Sequence, residues 1–244
     1  MRDEIYGRAD RFYQVEGDMT LPRSSCAARA VLKGAGKFFA VACYLAGIAG
    51  IIHYSVAAHN VASESSLIEL SQLLLLILTV FTFRRVAKFN PTLGHAAKLM
   101  SGFFLVLMIR ELDATLDIVM HGFWKVPALL VTGLTLWPAI KHGRDTFTSL
   151  AHALSAKSST MLIVALGLLL VYSRLFGMGE LWEQAMGAMY VRDVKNIAEE
   201  STELVAYSLI WLSALGYWLE SVKPGHIATP ASLTHSAEHD LPAQ

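Results

Sequence analysis

Six apolar runs punctuate the chain, at residues 38–58, 67–83, 99 to about 120, 126–140, 161–176 and 204–219. Each is continuous rather than alternating. A strand crossing a membrane alternates faces, whereas a continuous run suits a helix that satisfies its own backbone groups. Crossing a hydrocarbon core takes about 20 helical residues. The pattern therefore predicts an all-α, polytopic membrane bundle of about six transmembrane helices, joined by short connections. Three regions follow: a polar N-terminal tail over 1–36, a six-helix membrane domain over 37–222, and a C-terminal tail over 223–244. The bilayer is then the main partner.

Composition agrees with lipid as the solvent. The chain is 54% hydrophobic and only 16% charged, where a soluble domain carries about 25% charge. Zero net charge argues against nucleic acid as a partner. The first 36 residues are polar, and the first apolar run is too long for a signal-peptide core, so it reads as a retained helix. The basic segment 27–37 reads as an anchor for that helix. Cys26 and Cys43 fit no redox or zinc spacing.

The neutral total is a cancellation. With the six spans in place, 15 of the 20 basic residues fall in the two tails and in the second and fourth loops. The other side holds Arg110, Lys125, Arg174, Arg192 and Lys195, with 11 of the 20 acidic residues. Positive loops stay cytoplasmic. Both termini are thus predicted to be cytoplasmic, and the compact, short-looped chain is placed in the cell inner membrane as a multi-pass protein.

Polar residues begin at the outer ends, where lipid should continue. In the third run Arg110 and Glu111 interrupt an apolar stretch about 17 Å along the helix from Leu99. Asp113, Asp117 and His121 follow at four-residue spacing, and apolar residues resume between them. The second run opens with Ser65, Glu69 and Gln72 on one helical face. The sixth is preceded by Asn196, Glu200, Glu203 and Tyr207, which form a narrow stripe, with Asp193 and Glu199 beside it. The fifth ends on Tyr172, Ser173 and Arg174, and the first on His53, His59 and Asn60. Ionisable groups at membrane depth are expensive and mark functional sites.

These residues define a candidate site on the periplasmic side. Glu111, Glu203, Glu200, Arg110, Asp113, Asp117 and Arg174 are the candidate catalytic groups. Glu69, Glu111, His121, His53, Glu200 and Glu203 are the candidate metal ligands, because carboxylates and histidines from several helices can hold a divalent metal that activates water. Three function classes follow. The first is a membrane enzyme, with a divalent metal as candidate cofactor, acting on a lipid or isoprenoid substrate. The second is a proton- or cation-coupled transporter, since embedded carboxylates load and release protons. The third is a non-catalytic subunit docking a membrane-protein partner. The almost wholly apolar cytoplasmic halves, 73–78, 99–109 and 209–218, count against a continuous pore.

Other polar features read as ordinary membrane furniture. Glu180 and Glu183 lie on a predicted interfacial helix, with Leu181, Trp182 and Met186 turned to lipid. Trp124, Trp137, Trp211 and Trp218 sit near span ends as anchors. His95, His142 and His152 fall in loops. Phosphate-binding loops, dinucleotide fingerprints and nucleophile elbows are absent from the sequence.

Overall fold

A computed structural model describes residues 24–58 and 66–222, and within them the chain is all helical. The predicted tails at 1–23 and 223–244, with His59, Asn60, Glu64 and Ser65, lie outside the described residues. The chain divides into two compact units, 1–49 and 50–244. The first carries most of α1 (Ser24–Ala57). The basic segment and the first apolar run lie on this one helix. Its 34 residues rise about 51 Å, more than a hydrocarbon core requires.

The second unit holds α2 (Leu67–Phe89), α3 (Gly94–Glu111), α4 (Asp113–Asp117) and α5 (Lys125–Lys141). It continues through α6 (Gly143–Ser155), α7 (Ser159–Gly177), α8 (Gly179–Met186) and α9 (Arg192–Val222). Among the described residues four helices are long and apolar enough to cross a membrane: Ala28–Ala57 within α1, α2, Pro91–Glu111 and α7. The other two runs differ. The predicted fourth span is a helix of 17 residues, shorter than the usual crossing length. The predicted sixth lies inside the 31-residue α9, whose first turns are charged.

Local chemistry sets the ends. Ser66 caps α2 by accepting the Glu69 N–H at 3.2 Å. This is half of a capping box, since Glu69 stands at the third helical position. Asn90 closes α2, and its side chain accepts the Leu93 N–H at 3.3 Å. Pro91 then opens a single 3-10 turn, Pro91–Leu93, leading into α3.

Helix α2 is central, with α3 on one side and α9 on the other. Helices α5 and α6 pack on α3, and α7 packs on α9. Ile68, Leu76, Phe83, Phe104, Leu204, Ile210 and Tyr217 fill the core between α2, α3 and α9. Phe83 stacks on Phe104 with centroids 5.7 Å apart and meets Tyr217 at the same distance. The buried hydroxyls there are already answered: Thr79 donates to Leu75 O, Thr82 to Leu78 O and Tyr217 to Ala153 O.

Two glycines allow close helix approach, as small residues do in membrane bundles. A Cβ on Gly102 would collide with Thr135 of α5, and one on Gly216 with Ser158 ahead of α7. Thr135 is β-branched and stiff at χ1, so it cannot swing aside. Gly102→Ala is expected to destabilise the fold by about 1–3 kcal/mol through overpacking. Thermal unfolding in detergent should show a lowered Tm, and Thr135→Gly should restore it. An unchanged Tm in the single variant would refute the contact.

The third run departs most from expectation. It is not one helix through residue 120. Helix α3 stops at Glu111, Leu112 leaves the helical region with ψ of 14°, and the short α4 follows. Ile118, Val119 and Met120 lie in turns beyond α4 rather than on a continuation of α3. The helix also starts at Gly94 rather than Leu99. Arg110 therefore lies about 24 Å from its start, near the far end of the span instead of its middle.

Candidate functional site

The N-terminal parts of α2 and α9 and the C-terminal end of α3 enclose a polar cavity of about 200 Å³. Helix α2 contributes Glu69, Gln72 and Leu73. The α3–α4 junction contributes Arg110, Glu111, Leu112, Asp113, Ala114 and Thr115, and α9 contributes Glu199, Glu200 and Glu203. The helical spacing explains the convergence: 69 and 72 share a face, as do 199, 200 and 203. The break after Glu111 turns Asp113 back toward the same space.

The contacts are directional. Tyr207 donates to Glu111 Oε1 at 2.7 Å, and Arg110 Nη1 reaches the same oxygen at 3.4 Å. Glu203 is buried, and its Oε1 accepts from Arg174 Nη2 at 2.5 Å. Arg174 also approaches Glu199 at 4.0 Å, and Lys195 holds the other oxygen of Glu199 at 2.9 Å. A π-helical turn at Leu168–Tyr172 sits just before Ser173 and Arg174. Such turns often sit at functional positions. Ser173 donates to Leu169 O at 2.6 Å, with Glu203 Oε1 3.3 Å from its hydroxyl. Gly177 lets the end of α7 approach α9, since a Cβ there would meet the Glu199 carboxylate.

Gln72 is only partly satisfied. Its residue is fully buried. Its Nε2 donates to Glu200 O at 3.2 Å and to Glu200 Oε2 at 3.0 Å. Both partners are acceptors, so the amide cannot be flipped. Its Oε1 is therefore left without a hydrogen-bond partner among the described residues. A buried acceptor left unanswered costs about 1–3 kcal/mol.

Most predicted site residues gather here. Glu69, Arg110, Glu111, Asp113, Glu200 and Glu203 line the cavity, and Arg174 reaches it through Glu203. Asp117 and His121 do not join it. Asp117 accepts the Gly122 N–H at 2.9 Å, where Gly122 takes φ of +81°, and pairs with His121 at 3.1 Å. The His121 side chain is fully exposed. His53, Asp193 and Asn196 are not among the lining residues. Glu199 and its partner Lys195 carry more of the site than the sequence reading gave them. Their i, i+4 spacing on one helix was the available signal.

The metal reading is corrected. Among the described residues no group of three or more His, Cys, Asp and Glu side chains is placed to hold a metal ion. The histidines chosen as ligands, His53 and His121, stand outside the cavity. Of the carboxylates, Glu111 and Glu203 are turned to Tyr207, Arg110 and Arg174, while Glu200 is turned to Gln72. Glu69, Glu111, Glu200 and Glu203 thus share a cavity without converging on one point.

Six carboxylates line the cavity: Glu69, Glu111, Asp113, Glu199, Glu200 and Glu203. Arg110 is the single basic lining residue, and Arg174 and Lys195 reach in from the side. Glu200 has no lysine or arginine partner among the described residues. This arrangement offers a cation both excess negative charge and an unused carbonyl acceptor. No family model matches the chain, and no curated protein or solved structure matches it.

Proposed function

We propose that this chain is a six-span inner-membrane protein with both termini cytoplasmic, and that it is a cation- or proton-coupled transporter whose outer cavity binds a small cationic solute. The charge bias of the loops supports this orientation, with the acidic cavity facing the periplasm. Helix α5 and the second half of α9 supply the two additional crossings.

The observation that carries the reading is Gln72. Its buried Oε1 lacks a donor in a cavity lined by six carboxylates and one arginine. A monoalkylammonium brings three N–H donors and an alkylguanidinium five. Either meets the carbonyl and the Glu200 carboxylate together. The volume suits a solute of that size, since pockets for larger ligands run from about 300 Å³ upward.

A lipid-directed enzyme fits less well. A second, apolar cavity of about 520 Å³ lies among α3, α5, α6 and α7, but it shares no residue with the acidic one. A lipid head in the polar cavity would not find its tail in the apolar one. Beneath the acidic cavity the core is filled by the buried side chains of Leu76, Phe83 and Phe104. Transport therefore requires a second conformation in which these helices separate.

Thermal unfolding of the purified chain tests the binding step. Millimolar methylammonium or guanidinium is expected to raise the Tm, with sodium and a neutral sugar as controls. A ligand at 100 times its Kd adds about 2.7 kcal/mol. Proteoliposomes should then accumulate labelled methylammonium under an imposed proton gradient. No stabilisation by either cation would overturn the binding site. Stabilisation without uptake would leave a cation receptor and overturn the transporter.

A further inference from the structure

A second charged feature lies at the opposite end of the same helices. Arg84 and Lys88 stand one turn apart near the end of α2, and Lys98 near the start of α3. All three side chains are exposed. None forms an ion pair among the described residues, and Lys88 meets only the Phe89 ring, at 5.8 Å. From this basic rim a groove of about 650 Å³ runs between α3 and α5. Its α3 wall repeats as Lys98, Ser101, Gly102 and Leu105, and its α5 wall includes Leu134 and Pro138. These are helical spacings of three and four, so each wall is one face of one helix. The close approach at Gly102 and Thr135 forms the floor.

We infer that this groove is a binding site for an anionic glycerophospholipid. The chemistry is two-part, as the ligand's is. Three cations without acidic partners meet a phosphate, and an apolar slot below them accepts an acyl chain. From Lys98 to Leu105 the slot runs about 10 Å along the helix. A soluble phosphate uses only the rim, and a zwitterionic lipid offsets its phosphate with its own cation. Basic pockets between membrane helices on the cytoplasmic side bind anionic headgroups in this way. The site rests on the chain's being in a membrane and not on what the acidic cavity binds. The two lie about 18 Å apart along α2, from Gln72 to Arg84.

Native mass spectrometry of the full-length protein, delipidated and offered phosphatidylglycerol or phosphatidylcholine with identical chains, tests the inference. Retention of phosphatidylglycerol should exceed that of phosphatidylcholine by roughly tenfold, given the strength of each lysine or arginine near an anionic headgroup. The triple variant Arg84→Gln, Lys88→Gln, Lys98→Gln should bring the ratio to within about twofold. A control removing the same charge elsewhere, Lys141→Gln, Arg144→Gln, Lys157→Gln, should leave the ratio unchanged. Leu134→Trp, which fills the slot but keeps the rim, should lower retention. Equal losses in the two triple variants would show attraction by general charge and overturn the site. Displacement of the lipid by free glycerol phosphate, or full retention in Leu134→Trp, would overturn the acyl slot and with it the lipid assignment.

Discussion

Arg174→Met is expected to cost about 2 kcal/mol of stability, whereas Glu203→Gln costs less than about 1 kcal/mol and rescues Arg174→Met when the two are combined. The asymmetry comes from burial. The Glu203 side chain is 5% exposed and that of Arg174 is 45% exposed. Removing the arginine strands a buried carboxylate, the situation that costs about 3–5 kcal/mol in a closed interior. Half-exposure of the guanidinium, which water screens, reduces that figure. Neutralising the glutamate leaves an arginine that water can solvate, and Ser173 remains beside the new amide. The double variant should therefore resemble Glu203→Gln alone. A double-mutant cycle followed by unfolding in mixed micelles measures the coupling. If Arg174→Met proves neutral, the guanidinium offsets no buried charge and the network is not held as described.

Glu200→Gln is expected to weaken binding of methylammonium or guanidinium at least tenfold while leaving the fold intact. The Glu200 carboxylate meets the Gln72 amide rather than a base. Its neutralisation removes ligand charge without orphaning an arginine or lysine. The Gln72 Nε2 donor keeps an acceptor, because the amide carbonyl at position 200 replaces the carboxylate oxygen. The bond to the Glu200 backbone carbonyl is untouched. Loss of affinity with an unchanged Tm in the absence of ligand would place the charge at the binding step. Wild-type affinity in Glu200→Gln would remove this carboxylate from the site. Gln72→Leu provides the complementary test. It deletes the unanswered carbonyl together with the two hydrogen bonds that Nε2 donates to Glu200, and should weaken binding; wild-type affinity in Gln72→Leu would remove this amide from the site.

The membrane character was legible from the pattern alone. Continuous apolar runs and scarce charge require lipid as solvent, because such faces cannot be hidden within a chain of 244 residues. The acidic site was also legible in large part. Glu69 with Gln72, and Glu200 with Glu203, share faces by helical periodicity. That predicts which side chains look the same way on one helix, and most of the residues that line the cavity stand on such faces.

Tertiary structure decided what those faces meet. Periodicity carries no information about neighbouring helices, so the pairing of Arg174 with Glu203 and of Tyr207 with Glu111, 29 and 96 residues apart in sequence, was out of reach. It also could not say where a helix stops. The run from 99 to 120 kept an apolar character, yet the backbone turned at Leu112, which sent Asp117 and His121 out of the site and took the metal reading with them. The unsatisfied carbonyl of Gln72 is likewise a property of packing. Only the approach of α9, with two acceptors placed against one amide nitrogen, fixes which atom of that amide is left without a partner. The sequence by itself determined the apolar, membrane character and the acidic faces of single helices. The three-dimensional contacts decided which charges are paired and which, like Glu200, meet no lysine or arginine among the described residues.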